Sequence, residues 1–366
     1  MLTLFCFLGF QFFKKMKMLL WILGVLVLLV VIIGVGIGVG ISAPRYEGEP
    51  SDHFDGENFF TPNGESGKGF GDVLKWMLQR DKEEWKEVTQ VEYGAPPPQT
   101  VEGRALRVTF VNHSTFLIQT AGLNILTDPI WSERTSPFSW AGPKRMRPPG
   151  IRFADLPPID AVVLSHNHYD HLDLPTLRRL QNEHDPHIIA PLGVKAFLDT
   201  KGLTRSSELD WWQALELSDS LKVRCVPAQH FSGRGLLDRD ATLWGGFVIE
   251  TPDGNTYFAG DTGYHETIFK EIGARCAPIR LALIPIGAYK PQWFMAPVHV
   301  SPADGLRIHQ DVRALRSIGM HYGTFPLADD GRQDPINDLR KARQNQQVSE
   351  QVFGILPEGG YVNLED

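Results

Sequence analysis

Hydrophobic and polar positions divide the chain into a continuously apolar beginning and a longer part with short apolar runs. From Met18 to Ile41 no residue is charged, and most are Leu, Val, Ile or Gly. A helix over this stretch would measure roughly 36 Å at about 1.5 Å per residue, enough to cross a hydrocarbon core of about 30 Å. The pattern predicts a transmembrane signal anchor at residues 18–43, after a short N-terminal segment at residues 1–17.

Charges on either side of this apolar stretch predict its orientation. Lys14, Lys15 and Lys17 precede it, whereas the Asp and Glu residues that follow Arg45 up to Glu57 meet no further Lys or Arg. Because basic residues favour the cytoplasmic side of a membrane, we expect a single-pass membrane protein with a cytoplasmic N-terminus. The catalytic domain would then be extracytoplasmic, and periplasmic in a bacterium.

Two alternatives stay open for the same stretch. A cleaved signal peptide would also be apolar, although its apolar core of about 7–15 residues would be shorter than the one found here. Gly34, Gly36, Gly38 and Gly40 contain two G-x-x-x-G spacings, a pattern found at helix dimer faces. A homodimer therefore competes with the simpler interpretation that these are small residues tolerated in an apolar helix.

The rest of the chain alternates between strand-like and helix-like patterns. Residues 44–70 are rich in Gly, Glu, Pro and Asn and predict a linker. Helices are expected at 71–90 and from the N-cap Ser301 to about Ser317. Apolar runs typical of strands recur at 106–111, 115–119, 124–127, 161–164, 188–191, 221–226, 247–250 and 256–259. With no repeat of fixed period, the pattern predicts one α/β domain over residues 71–366, with two sheets and outer helices.

Composition narrows the classes of function. The formal net charge is -7, so the chain lacks the basic footprint of a nucleic-acid-binding protein, and no nucleic-acid partner is expected. The three cysteines, Cys6, Cys225 and Cys276, are too few and too scattered for a disulfide framework or a thiolate zinc site. We do not expect a disulfide between Cys225 and Cys276.

The strongest chemical signal is the pattern H-x-H-x-D-H within residues 165–173. It contains His166, His168, Asp170 and His171, directly after a short apolar run and before a stretch that reads as a helix start. Neutral imidazole and carboxylate are good ligands for zinc and similar metals. So many of these groups on one strand-to-helix loop predict a metal site rather than a solvated polar loop.

Three further residues extend this cluster. His230, Asp261 and His321 each follow an apolar run, which places them at the ends of predicted strands. Each is a weak signal alone, because a single histidine at a strand end usually belongs to the core or the surface. Together with the first four residues they make seven candidate ligands, which are enough for two ions.

This order of ligands resembles the metallo-β-lactamase fold superfamily over roughly residues 105–330. The resemblance implies an αββα sandwich with the site at the edges of the sheets, preceded here by the transmembrane helix. It also implies two zinc ions, although iron or manganese would suit such a site. One ion would be held by His166, His168 and His230, and the other by Asp170, His171 and His321, with Asp261 and a hydroxide between them.

Longer stretches resemble one family of this superfamily, the phospholipases D that hydrolyse N-acylphosphatidylethanolamine. They include residues 165–173, Phe-Ala-Gly-Asp-Thr-Gly-Tyr at 258–264 and Pro-Ile-Gly-Ala-Tyr at 285–289. The resemblance implies a membrane phospholipid substrate, with an N-acylethanolamine and phosphatidic acid as products. It also implies that Tyr169 and His299 contact the substrate. The membrane anchor departs from the family pattern, since the familiar members are peripheral.

The chemistry expected at such a site is hydrolysis by a hydroxide that two metal ions activate. Asp261 would bridge the ions and accept the proton, His299 would donate a hydrogen bond to the phosphoryl group or the leaving oxygen, and Asp128 would orient a ligand imidazole. A soluble phosphodiester or a lactone is the alternative substrate. A non-catalytic metal-binding module is disfavoured because all seven ligand positions are filled.

Overall fold

The chain begins with a long helix, most of which lies outside the folded core. The computed structural model describes residues 2–65, 67–91 and 93–364, and the side chains from Lys14 onward except that of Phe70. Helix α1 spans Leu2–Gly40. Its part Lys14–Gly40 is long and apolar enough to cross a membrane, and none of its most apolar window is buried. Residue 1 and the side chains of residues 2–13, within the predicted segment 1–17, lie outside the described part.

Two seven-stranded sheets form the scaffold, with strands numbered along the chain. The first sheet has the spatial order β14 (Tyr361–Leu364), β1 (Leu106–Asn112), β2 (Thr115–Thr120), β3 (Leu123–Thr127), β4 (Ala161–Val163), β5 (His187–Pro191) and β6 (Ser206–Leu209). The second has the order β13 (Phe353–Gly354), β12 (Arg316–Met320), β11 (Ile279–Pro285), β10 (Asn255–Phe258), β9 (Gly246–Glu250), β8 (Leu221–Val226) and β7 (Ala214–Ser218). From β3 to β6 and from β10 to β13 neighbouring strands are parallel.

Side chains of the first sheet alternate between two apolar layers, as the two-residue period of a strand requires. Phe116 and Ile118 of β2 join the large core between the sheets, whereas Leu117 joins the layer on the other face. In β4 the same alternation places Val163 in the first layer and Val162 in the second. The first sheet is therefore buried on both faces.

Helices cover the outer faces of both sheets. Besides α1, the described residues form α2 (Phe70–Gln79), α3 (Leu174–Glu183), α4 (Val194–Thr200), α5 (Ile268–Arg275), α6 (Gln292–Met295), α7 (Pro302–Asp311) and α8 (Asp334–Gln346), with a 3₁₀ turn at Phe153–Asp155. Helices α3 and α4 pack on the outer layer of the first sheet, and α5, α7 and α8 pack with the second. The predicted α/β architecture of two sheets between helices is confirmed.

Residues 44–65, which composition predicts as part of a linker, pack against the domain. Phe54 and Phe59 are 1% and 2% exposed and form a cluster with Leu243 and Trp244. His53 stacks on a further aromatic ring of the domain, with ring centroids 4.4 Å apart. A few apolar side chains in a polar stretch thus suffice to attach it to the core.

Two predicted helices end earlier than expected. Helix α2 stops at Gln79 because Arg80 leaves helical geometry and pairs with Asp329 at 2.9 Å. Helix α7 stops at Asp311, and Arg313 takes a φ of 55°, which turns the chain into β12. The cysteines Cys225 and Cys276 are both buried and free.

Candidate metal centre

The predicted ligands meet at one edge of the two sheets. The loop at 165–173 follows β4, His230 lies beyond the end of β8, Asp261 lies beyond β10, and His321 comes directly after β12. Because β10 and β12 run parallel to the strand between them, their carboxyl ends reach the same edge. The topology therefore brings together residues from four separate parts of the chain.

Three imidazoles form the first half of the site. His166 Nε2 lies 2.7 Å from His168 Nδ1, and His230 Nε2 lies 3.3 Å from the same atom of His168. All three side chains offer a nitrogen within 4.8 Å of the other two. Three ring nitrogens that converge in this way match a donor set that zinc prefers.

Asp170, His171 and His321 form the second half, and His113 joins them. Asp170 Oδ2 lies 3.0 Å from His113 Nε2 and 3.3 Å from the Nε2 atoms of both His171 and His321. The carboxylate is thus surrounded by ring nitrogens. This half combines oxygen and nitrogen donors, as the sequence pattern predicts.

Asp261 lies between the two halves. Its Oδ2 atom is 3.1 Å from the Nε2 atoms of His171 and His321 and 3.9 Å from Nε2 of His230. The side chain is only 2% exposed. Asp261 is therefore a buried carboxylate in contact with imidazoles of both halves.

Hydrogen bonds on the far side of the imidazoles fix their orientation. His171 Nδ1 donates to Asp128 Oδ2 at 2.6 Å, and His230 Nδ1 donates to the Val298 carbonyl at 2.8 Å. Asp128 in turn accepts from the backbone N–H and the hydroxyl of Ser165, at 2.7 and 2.6 Å. Each bond selects the tautomer whose Nε2 faces the site. Asp128 thus orients the imidazole of His171, a candidate ligand.

The backbone at this edge adopts uncommon conformations. The φ angles of His113, Asp128 and His321 are 50°, 34° and 59°, in a region that residues other than glycine rarely occupy. Such conformations persist only where the surrounding structure imposes them, and they concentrate at functional sites. The scaffold therefore determines where these three side chains lie.

Burial opposes charge throughout the site, so the neighbours of each group decide its protonation. Burial and adjacent imidazoles hold the pKa of His166 well below its usual range, and burial lowers the pKa of His168 to about 4. At His321 the carboxylates of Asp261 and Asp170 outweigh burial and raise the pKa to about 9. The imidazoles around Asp261 outweigh burial and hold its pKa well below the usual range. The ionised carboxylates and the neutral imidazoles of His166 and His168 are in the forms that bind metals, whereas a cation would have to displace a proton from His321.

The donor set fits divalent metal ions. Asp261 Oδ1, His171 Nε2 and His299 Nδ1 are buried and have no hydrogen-bond partner among the described residues. Buried polar atoms are normally paired, since leaving one unpaired costs about 1–3 kcal/mol. Nitrogen and carboxylate donors of this kind suit zinc, iron or manganese, so a bound cation would satisfy them.

Of the two residues predicted to contact substrate, only His299 borders the described side chains of this centre. His299 is 15% exposed, its Nδ1 lies 3.8 Å from Asp261 Oδ2, and its ring stacks on His321. Burial lowers the pKa of His299 to about 4, so the ring is neutral near pH 7. Tyr169 lies further out: its hydroxyl donates to the Arg234 carbonyl at 3.1 Å, and its ring contacts the Arg234 guanidinium at 3.9 Å.

The amino-acid sequence around this site matches a known protein family. Residues 123–322, which extend from β3 to just beyond His321, match the family model of the beta-lactamase superfamily domain. The chain belongs to the metallo-β-lactamase superfamily. The match includes all seven candidate ligands.

Relatives and solved structures agree with this membership. The N-acyl-phosphatidylethanolamine-hydrolyzing phospholipase D 1 of Caenorhabditis elegans is 39% identical over 66% of this chain and 71% of its own. A metal-dependent hydrolase of Pyrobaculum neutrophilum is 29% identical over 63% of this chain and 88% of its own. Igni18, a metallo hydrolase from Ignicoccus hospitalis, has the same fold, with a TM-score of 0.55 and 21% identity over 72% of this chain and 99% of that one. The expected metallo-β-lactamase fold is confirmed, and the chain is a hydrolase of this superfamily.

Two residues at this metallo-β-lactamase site, His113 and Arg234, were not predicted from the sequence. His113 lies in the turn between β1 and β2, and its Nε2 atom is hydrogen-bonded to Asp170 Oδ2 at 3.0 Å. Arg234 Nη1 donates to the carbonyls of Asn167 and Leu172, at 2.6 and 3.0 Å, and so braces the ligand loop at both ends. His113 shares one signal with the predicted ligands, since it also follows a strand at this edge.

Proposed function

We propose that this protein is a phospholipase of the D type that hydrolyses N-acylphosphatidylethanolamine to an N-acylethanolamine and phosphatidic acid. The observation that carries the proposal is the meeting of two ligand groups around one carboxylate, Asp261. The similarity to a phospholipase that acts on this lipid, at 39% identity, supports the choice of substrate.

Two zinc ions are the proposed cofactors. The three-imidazole group of His166, His168 and His230 would hold one, and the group around Asp170 would hold the other, with Asp261 shared. Bound divalent ions lower the pKa of water and take up negative charge on phosphoryl oxygens. Iron or manganese would supply the same chemistry from these donors.

The side chains at the centre suit hydrolysis of a phosphodiester. Asp261 is ionised and keeps Oδ1 free, so it can accept a proton from the attacking water. His299 is neutral with Nδ1 unpaired, and can donate a hydrogen bond to a phosphoryl oxygen or the leaving oxygen. Water adds to phosphorus, the bond to the N-acylethanolamine oxygen breaks, and that oxygen takes up the proton. Tyr169, whose hydroxyl already donates to Arg234, would meet the substrate with its ring.

Helix α1 would hold the enzyme beside its substrate. A lipid remains in the bilayer, so an enzyme anchored in the same membrane gains effective concentration. Trp140 is 76% exposed and Leu236 is 60% exposed, and Leu236 lies at the end of α1, where its amide donates to the Gly38 carbonyl. We therefore propose a single-pass protein. Its N-terminus would be cytoplasmic because Lys14, Lys15 and Lys17 precede the apolar stretch. A reporter fused to the C-terminus and active only in the cytoplasm would contradict this orientation.

Turnover by the full-length, zinc-loaded protein tests the reaction. We expect N-acylphosphatidylethanolamine in mixed micelles to yield both products, and Asp261→Asn to abolish their formation. Asp199→Asn, at an exposed carboxylate on α4, is the matched control and should retain activity. If neither the unmutated protein nor Asp199→Asn forms products while metal is bound, the substrate assignment is wrong.

A different substrate on the same site is the second candidate. The similarity to a metal-dependent hydrolase of Pyrobaculum neutrophilum favours it, since the same scaffold serves more than one reaction. Turnover of a soluble phosphodiester or a lactone that needs Asp261 but not lipid would establish this alternative.

A further inference from the structure

A second concave site lies between the end of α1 and the loop of metal-ligand candidates. This pocket of about 270 Å³, here termed the helix-end pocket, borders the end of α1 and contains four basic side chains. Gly40 and Ile41 line it on the side of the helix, and the basic residues are Arg134, Arg178, Lys201 and Arg234. None of the seven candidate ligands lines it, although Tyr169, which lies between His168 and Asp170, does, so the pocket adjoins the metal centre without including it.

Four basic side chains line this pocket, but only one carboxylate, that of Asp173, lines it with them. In the described part of the chain, no carboxylate lies within ion-pair distance of Arg178, Lys201 or Arg234. Asp173 also lines the pocket, but it accepts hydrogen bonds from Ser132 and from the hydroxyl of Thr176. The local excess of basic groups contrasts with the net charge of -7 of the chain.

Arg234 is the most informative of these groups. It is 8% exposed, and its guanidinium lies 3.9 Å from the Tyr169 ring and 5.0 Å from the Phe197 ring. Two backbone carbonyls accept from Nη1, and the carboxylates of Asp238 and Asp173 act on the guanidinium only from beyond ion-pair distance. A buried cation is costly unless an anion accompanies it. The wall of the pocket therefore provides a preformed place for a negative group.

The end of α1 is held tightly against this part of the domain. The Leu236 amide donates to the Gly38 carbonyl at 3.0 Å, and the Ala43 amide donates to Asp238 Oδ2 at 2.7 Å. A methyl group at Gly235 would lie 2.4 Å from the Gly38 carbonyl oxygen, so the approach leaves no spare room. If α1 spans the bilayer as proposed above, the helix-end pocket lies at the depth of the lipid headgroups.

We propose that the helix-end pocket binds the headgroup phosphate of an anionic phospholipid that is not itself hydrolysed. A guanidinium group can donate two parallel hydrogen bonds to two oxygens of one phosphate, and Lys201 adds a compact positive charge. Leu172, Leu174 and Phe197, which also line the pocket, offer apolar surface to the glycerol and upper acyl chains. A soluble phosphate would leave this surface uncovered, so the position and the lining both favour a lipid. The inference rests on the membrane insertion in the proposed function.

Lipid retention by the full-length protein tests this site. The protein is purified in micelles that contain phosphatidylcholine and phosphatidylglycerol, and native mass spectrometry counts the lipids each chain keeps. We expect phosphatidylglycerol to be retained in preference, and the double variant R178Q/K201Q to retain it about tenfold less. The control K270Q/R340Q removes the same charge at exposed residues outside the pocket and should behave like the unmutated protein.

Several results would overturn the inference. Equal retention by both variants, or equal loss in both, would exclude a specific site at these residues. Displacement of the lipid by millimolar glycerol phosphate would show a site for soluble phosphate instead. If alkaline carbonate extracts the protein from membranes, α1 does not span the bilayer and the pocket does not lie at the depth of the headgroups. Because retention needs no turnover, a failure to hydrolyse N-acylphosphatidylethanolamine would be recognised separately.

Discussion

Asp128 Oδ2 and His171 Nδ1 are joined by a hydrogen bond of 2.6 Å, and neither side chain is exposed to solvent. The bond fixes the imidazole so that Nε2 points toward Asp261, at 3.1 Å. Burial raises the pKa of Asp128, which the imidazole and the two donors of Ser165 oppose. A single carboxylate outside the ligand set thus sets the direction of one candidate ligand.

Asp128→Asn should lower the affinity for zinc by about 10–100-fold, the usual effect of removing a partner of a ligating histidine. The amide is similar in size but lacks the charge that makes the imidazole a stronger donor. Titration of bound zinc with a competing chelator measures the change. Asp160→Asn, at an exposed residue just before β4, is the control and should bind zinc normally. Equal affinities would show that Asp128 has no such role.

His113→Ala should reduce bound metal at the half of the site around Asp170. The substitution removes a donor that lies 3.0 Å from Asp170 Oδ2 and a ring that packs against His321. We expect an affinity loss of about 10–100-fold, with partial recovery in His113→Gln, which restores a donor. His309→Ala, at a buried histidine bonded to a serine hydroxyl, is the matched control. If both alanine variants keep all their metal, His113 does not position Asp170.

The parts of the site that could be predicted from the sequence are those whose residues lie close together in the chain or directly after a recognisable strand. His166, His168, Asp170 and His171 are adjacent in the chain, so their spacing alone indicated a metal site. Short apolar runs predicted eight of the fourteen strands among the described residues, because a buried strand leaves a direct trace in the order of apolar residues. Asp261 could be placed because it ends a recognisable strand.

Other features depend on contacts between residues that are far apart in the chain. His113 and Asp170 are separated by 57 positions, and no local pattern joins them. Arg234 reads as an ordinary surface arginine until the fold brings the ligand loop and two aromatic rings against it. The early end of α7 depends on the left-handed conformation of Arg313, which nothing in the surrounding composition demands.

Phe59→Ala should lower the free energy of unfolding by about 3–5 kcal/mol, the usual cost of truncating a buried aromatic ring. Phe59 is 2% exposed, while its neighbour Phe60 is 41% exposed. Phe60→Ala should therefore change stability by less than about 0.5 kcal/mol. Urea unfolding of the full-length protein, followed by tryptophan fluorescence, compares the two. Equal unfolding midpoints would mean that residues 44–65 behave as a linker after all.

Gly235→Ala should loosen the contact between α1 and the domain. The new methyl group would lie 2.3 Å from Ser42 Oγ and 2.4 Å from the Gly38 carbonyl oxygen, so the backbone would have to move. The Leu236 amide, which donates to that carbonyl, should then exchange its hydrogen faster. Gly36→Ala is the control, because no atom lies within 4 Å of the added group. Unchanged exchange in both variants would contradict the close docking of the helix.

His53 should make the stability of the protein depend on pH. Its Nε2 lies 2.8 Å from Asp210 Oδ1 and its Nδ1 lies 2.6 Å from Asp52 Oδ1. Burial opposes protonation, but the two carboxylates outweigh it and raise the pKa of His53 above 6.5. Since the pKa is higher in the folded state, this stabilisation is complete below pH 6.5 and is lost as the pH rises through the folded value.

The difference in unfolding midpoint between the unmutated protein and His53→Asn should accordingly shrink from acidic to mildly alkaline pH. Asp210 is 26% exposed and Asp52 is 88% exposed, so water screens the second carboxylate more strongly. Asp210→Asn should therefore weaken the pH dependence more than Asp52→Asn does. A midpoint difference that stays constant across this pH range would show that His53 does not gain its proton on folding.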